Sequence, residues 1–245
     1  MRYILDISYR GTDFCGWQIQ PNVRTVQGEL NKALSKILGG NIETLGSGRT
    51  DTGVHAFQQV VHFDLDKELP DTLQKSLNSV LPKDILVKKI ALVQDEFHAR
   101  YDATFRSYKY FITKERNPFN MGHSAIFRPE IKLELMNDAC KLLIGRQNFE
   151  SFSRVKTEVN NFYCNIMEVH WTQEKDKLVF YIKANRFLRG MVRAIVGTML
   201  DIGTERITSE DFQKIIEGKD RKLAGQAAPP EGLFLNEVVY DECLM

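Results

Sequence analysis

Gly46-Ser47-Gly48-Arg49-Thr50-Asp51-Thr52-Gly53-Val54-His55-Ala56 is the stretch from which the rest of the chain is best read. It lies between two segments that read as strands, a short one around Ile42 to Leu45 and a longer one around Gln59 to Leu65. Three glycines in its first eight residues demand a tight backbone path and allow positive φ angles. Arg49 and Asp51 place opposite charges two residues apart. In a cleft, such an arginine would favour the ionised carboxylate. An ionised, positioned carboxylate suits nucleophilic or general-base work. The same residue types also build an ordinary surface turn with an incidental ion pair. Asp51-Thr52-Gly53 further matches the D-T-G signature of aspartic proteases. Those need two carboxylates sharing a proton, and an adjacent arginine opposes that sharing.

Outward from this loop, strands and helices mix. Tyr3, Leu5, Ile7 and Tyr9 alternate with mostly polar neighbours, as a half-buried strand requires. A loop from Gly11 to Pro21 leads to Val26, Leu30, Ala33, Leu34, Ile37 and Leu38 at helical spacing, stopped by Gly39-Gly40. Beyond the central loop come a helix ended by Pro82 and a strand near Ile85 to Val93. Thr104 to Thr113 reads as a strand, Leu133 to Ile144 as a helix closed by Gly145, and Phe162 to Trp171 and Leu178 to Ala184 as strands. Leu188, Met191, Val192, Ile195, Val196, Met199 and Leu200 stripe one long helix. Thr208 with Asp211 reads as the cap of a short helix ending at Gly218, and Leu233 to Tyr240 as a last strand. Several strands follow strands directly, so the expectation is an α+β fold. It would have a mixed, largely antiparallel sheet built from two similar α/β halves, residues 1–100 and 101–245, with helices packed on it.

Composition excludes little. The 245 residues are 43% hydrophobic and 27% charged, with 33 basic and 32 acidic side chains. A formal charge of +1 does not advertise a nucleic-acid partner, so any such argument rests on local clusters. Two clusters stand out. Between Lys183 and Leu200 there are four basic residues and no acid, with Arg186, Arg189 and Arg193 at i, i+3 and i+7 on one helix face. Between Arg100 and Arg116, Arg106 and Lys109 are among five basic residues interleaved with Phe105, Tyr108, Tyr110 and Phe111. That pattern suits an RNA backbone with stacked bases. Alternation puts Arg106, Tyr108, Tyr110 and Ile112 on one strand face. The four scattered cysteines read as reduced thiols, and the five histidines show no metal-ligand spacing. The N-terminus reads as a strand, and no apolar run is long enough to span a membrane. A cytoplasmic location without membrane association is the expectation.

The central loop resembles the catalytic motif of the TruA-type tRNA pseudouridine synthase family, G-R-T-D-x-G-V-H, with every specified position filled. Tyr9-Arg10-Gly11-Thr12-Asp13-Phe14-Cys15-Gly16-Trp17-Gln18, Thr25-Val26-Gln27, Phe97-His98-Ala99-Arg100, Arg106-Ser107-Tyr108-Lys109-Tyr110, Met191-Val192-Arg193 and Ala228-Pro229-Pro230-Glu231-Gly232-Leu233 are similar to further family blocks, in the family's order. The resemblance implies an isomerase that converts uridines at tRNA positions 38, 39 and 40, in the anticodon stem-loop, to pseudouridine. It implies an RNA-binding cleft between the halves, a homodimer, and neither cofactor nor metal. Asp51 would be the catalytic carboxylate. Tyr108, Arg49 and Arg193 would meet the substrate nucleotide, and Arg106, Lys109, Arg186 and Arg189 the RNA backbone. The principal rival is a non-catalytic RNA-binding module on the same fold.

Overall fold

The computed structural model describes residues 1–154 and 161–241. These form two compact units: residues 1–106 with the chain from Phe234 onward, and residues 107–233. Cys243 lies outside the described residues, and the other three cysteines are free thiols. Among the described residues, no helix is long and apolar enough to cross a membrane.

In the first unit β1 (Arg2–Tyr9) is central to an antiparallel trio. It pairs on one side with β3 (His55–Asp64) and on the other with β4 (Ile85–Val93). On the far side of β3 the closing strand β10 (Leu233–Tyr240) runs parallel, Phe234 opposite His55, which makes the sheet mixed. The two-residue β2 (Leu45–Gly46) adds to β3 through Leu45↔His62 and Gly46↔Val61. Buried residues run unbroken from Gln59 to Phe63, because both faces of β3 are covered there and alternation disappears. β3 also begins earlier than its apolar pattern suggests, with His55 and Ala56 of the central loop already in the strand.

Two helices complete this unit. In α1 (Val26–Leu38) the Thr25 hydroxyl accepts the Gly28 N–H, and Val26, Leu30, Ala33, Leu34 and Leu38 form the buried stripe. Gly39, at φ 80°, ends it in a conformation that a side chain would strain. The helix α2 (Leu73–Val80) stops as expected, with Leu81 extended ahead of Pro82.

The second unit continues β5 (Ala103–Thr113), whose first residues belong to the first unit. Its strands lie in the order β5, β9 (Lys177–Ala184), β8 (Tyr163–Glu174), β7 (Gly145–Asn148), with β6 (Ala125–Ile126) parallel to β5. β7, β8 and β9 are antiparallel neighbours. The architecture is therefore α+β with largely antiparallel pairing, as the element order implies. β6 and β7 carry no apolar pattern, two residues and Gly-Arg-Gln-Asn, and only pairing reveals them. α3 (Leu133–Lys141) packs against β8 and against α4 (Met191–Gly203). α5 (Ser209–Gly218) opens with a complete capping box between Thr208 and Asp211.

α4 differs from its reading in two ways. It is apolar nearly all round, with 11 of its 13 residues buried, so it is a core helix rather than one with a polar face. It also starts only at Met191, because Gly190 stands before it at φ 72°. Arg186 and Arg189 therefore precede the helix and do not share a helical face with Arg193.

Candidate active site

The central loop leaves the sheet at Ser47, whose N–H still donates to the Val60 carbonyl at 2.8 Å, and returns to it at His55. Buried side chains hold its outgoing arm. The Ser47 hydroxyl donates to Gln59 Oε1 (2.9 Å), and Gln59 Nε2 donates to the Gly48 carbonyl (2.8 Å). At the tip, the Val54 N–H donates to the Asp51 carbonyl at 3.1 Å. That closes a β-turn whose third residue, Gly53, sits at φ 79°, the angle that makes glycine necessary there. Asp51 opens the turn half-buried, while Thr50 behind it is buried and Thr52 ahead of it is exposed. The sequence thus brings a carboxylate to a partly open tip on a backbone fixed from below.

The N-terminal loop after β1 interlocks with this turn. Trp17 N–H donates to the Thr50 carbonyl (3.1 Å) and Gly53 N–H to the Phe14 carbonyl (3.3 Å). The Tyr9 hydroxyl and Thr50 Oγ1 share a hydrogen bond of 2.8 Å. The Gly11 N–H donates to His55 Nδ1 at 3.1 Å, and the imidazole stacks on Phe234 with centroids 4.4 Å apart. His55 is thus a loop-shaping residue. The two backbones approach so closely that a Cβ on Gly11 would lie 2.0 Å from the Val54 carbonyl oxygen. One on Gly16, at φ 85°, would lie 2.6 Å from that of Thr50.

Several expected site residues are placed differently. Arg49 is exposed, and the half-buried Asp51 follows two residues on. Arg106, expected to touch RNA, is 9% exposed. Its Nε and Nη2 donate to the Ser47 carbonyl (3.1 and 2.9 Å), and Nη2 also reaches the Arg100 carbonyl. These bonds hold its guanidinium against backbone inside the first unit.

The other expected residues belong to the second unit. Tyr108 is half-buried with its ring edge-on to Phe187, centroids 5.0 Å apart. Tyr110 on the same strand face is a core residue. Its hydroxyl donates to the Pro229 carbonyl (2.8 Å), and burial pushes the phenol up, well above its ordinary range. Lys109 faces the opposite way, in a shallow recess with Glu168, His170, Glu174 and Tyr181, where two carboxylates oppose an approaching phosphate. Arg193 is half-buried and doubly tied to Ala228. Its Nε donates to the Ala228 carbonyl (2.6 Å), and its own carbonyl accepts the Ala228 N–H (2.9 Å). Arg189 is exposed, and its carbonyl accepts the Arg154 N–H. Arg186 is half-buried near Cys164, whose thiol burial pushes up to about 11 despite that positive charge.

A model of the tRNA pseudouridine synthase family matches residues 7–102 and 139–241, Asp51 and its interlocked N-terminal loop included. The chain belongs to the tRNA pseudouridine synthase family. It is 46% identical over 245 residues to tRNA pseudouridine synthase A of Parabacteroides distasonis, spanning 98% of this chain and 96% of that protein. Against the protein of the same name from Bacteroides fragilis it is 45% identical, spanning 98% and 97%. Against that from Bacillus subtilis it is 42% identical, spanning 98% and 100%. Family membership makes the chain an enzyme, an isomerase, and removes the aspartic-protease reading of Asp51-Thr52-Gly53. Arg106, Tyr108 and Lys109 fall between the two stretches that the family model matches.

Two pseudouridine synthase family blocks far apart in sequence, Tyr9 to Gln18 and Gly48 to His55, turn out to be one interlocked structure. Sequence reasoning gave no holding role to Tyr9, Gln59 or Arg106, which fasten this structure. A signal existed for Gln59, which is a fully buried amide in an apolar strand just after a glycine-rich loop. Such a group needs partners, and loop carbonyls are the nearest ones.

Proposed function

We propose that this chain isomerises uridines of the tRNA anticodon stem-loop, at positions 38, 39 and 40, to pseudouridine, with Asp51 as the essential carboxylate. The observation that carries the reading is the presentation of Asp51. It is a half-open carboxylate at the tip of a turn whose both arms are hydrogen-bonded to buried or interlocked groups, inside a complete family motif.

The reaction breaks the bond from ribose C1′ to base N1 and forms one from C1′ to C5. C5 loses its proton and N1 gains one, so nothing is added or lost overall. The demands on the protein are accordingly positioning and charge placement. The base must leave its stack, which costs a few kcal/mol and favours loops and helix ends. In this reading Asp51 acts at the sugar or base of the flipped nucleotide, and Tyr108 faces the base. Arg193 supplies the cation that favours an ionised carboxylate. Arg49, exposed at the rim, fills the gap that the base leaves or meets a phosphate. Arg186 and Arg189 meet the RNA backbone. The enzyme works in the cytoplasm as a homodimer and needs no cofactor.

The test is nucleoside chromatography of digested tRNA after incubation with the enzyme. Transcripts with a single uridine at position 38, 39 or 40 gain pseudouridine, and those with cytidine there gain none. Pseudouridine arising elsewhere would refute the stem-loop assignment. Binding without any pseudouridine would favour a non-catalytic module.

A further inference from the structure

The sequence pattern puts Arg106 on an RNA face, but the geometry puts it under the catalytic loop. Both N–H groups on one edge of its guanidinium converge on the Ser47 carbonyl, at 3.1 and 2.9 Å, and the outer nitrogen also reaches Arg100. A planar fork on a single oxygen fixes that oxygen's direction as well as its distance. The next carbonyl, Gly48, is held by Gln59 at 2.8 Å. Packing adds little here, since nothing lies within 4 Å of the place a Gly48 Cβ would occupy. The first part of the arm, at Ser47 and Gly48, is therefore held by two carbonyl clamps, of which Arg106 is the charged one, while Trp17 and Tyr9 hold Thr50 beside Asp51. A buried arginine is expensive to desolvate, and a neutral amide or a small hydrophobe would fill the position at lower cost if filling were the only need.

We propose that Arg106 is a positioning residue for the isomerisation. It holds the Ser47–Gly48 backbone and so aims Asp51, four residues on, without touching the RNA. The proposal rests on the reading of Asp51 as the essential carboxylate.

The experiment compares wild type, Arg106→Ala, Arg106→Lys and Asp51→Ala. It measures kcat and KM for tRNA, the salt dependence of tRNA binding, and Tm. Misaiming a reacting group by about 1 Å costs on the order of a hundredfold. The expected result is thus a kcat of Arg106→Ala lower by about that factor, with KM and salt slope unchanged and methylguanidinium restoring part of kcat. Arg106→Lys keeps the charge but loses the fork, so its kcat falls too. If Arg106→Ala does not fold, Arg106→Lys carries the same test. A wild-type kcat with raised KM and a shallower salt slope would make Arg106 an RNA contact after all. A wild-type kcat with only a lower Tm would make it structural. Either result, with Asp51→Ala inactive, overturns this proposal alone, whereas an active Asp51→Ala overturns the reading beneath it.

Discussion

Gly11→Ala adds one methyl group at the tightest point of the loop interlock. The new Cβ would meet the Val54 carbonyl oxygen at 2.0 Å and its carbon at 2.5 Å, against 3.4 Å or more for an ordinary contact. Both obstacles are backbone, so no side chain can swing aside, and the two loops must part by roughly 1.4 Å, the difference of those distances. The hydrogen bond from Gly11 N–H to His55 Nδ1, now 3.1 Å, does not survive such a shift. Overpacking costs about 1–3 kcal/mol, and a lost hydrogen bond about 1 kcal/mol more. For a chain of this size that lowers Tm by roughly 4–16 °C. Val54 is three residues from Asp51, so kcat at saturating tRNA falls on the order of a hundredfold. Thermal melts and single-turnover assays on the purified variant measure both. Gly48→Ala is the control, because its Cβ meets nothing within 4 Å; its stability stays within about 0.5 kcal/mol of wild type. A Gly11→Ala enzyme with wild-type Tm and kcat would refute the interlock as what positions Asp51.

Acid sensitivity should trace in part to His62. Burial first, then the positive charges of Arg2 and His98, push its pKa from 6.5 down to about 4, while its Nδ1 accepts the Ala99 N–H. Between those two values the unfolded chain binds a proton that the native one refuses. Stability is therefore complete above pH 6.5 and is lost as pH falls toward 4. Urea midpoints at neutral and mildly acid pH should show this slope in wild type and a flatter one in His62→Gln; equal slopes would exonerate His62. Thr208→Ala removes the hydroxyl that accepts the Asp211 N–H at 3.2 Å and should cost about 1 kcal/mol in urea denaturation. No loss there would mean that the capping box contributes nothing to α5.

The pattern of apolar residues located the principal strands and helices because burial imposes periods of two and 3.6 on them. It failed where burial is not one-sided or the element is short. β6 and β7 have no apolar pattern to read, and α4 is buried all round, so its stripe ran on into Leu188 across a left-handed Gly190. The tight turn that carries Asp51 was legible because glycines and a strand on each side coincide. Arg106 was not, since alternation tells which strand face a residue takes and not what covers that face. The surroundings of Lys109 were illegible for a related reason, because Glu168 and Glu174 beside it come from β8, about sixty residues away in the chain.

The most direct test of the role of Asp51 is tritium release from tRNA carrying 5-tritiated uridine, with wild type beside Asp51→Ala. Forming the bond from C1′ to C5 expels that hydrogen. Wild type is expected to release tritium and Asp51→Ala none, with tRNA affinity held within a few-fold. Release by a folded Asp51→Ala at the wild-type rate would contradict that role.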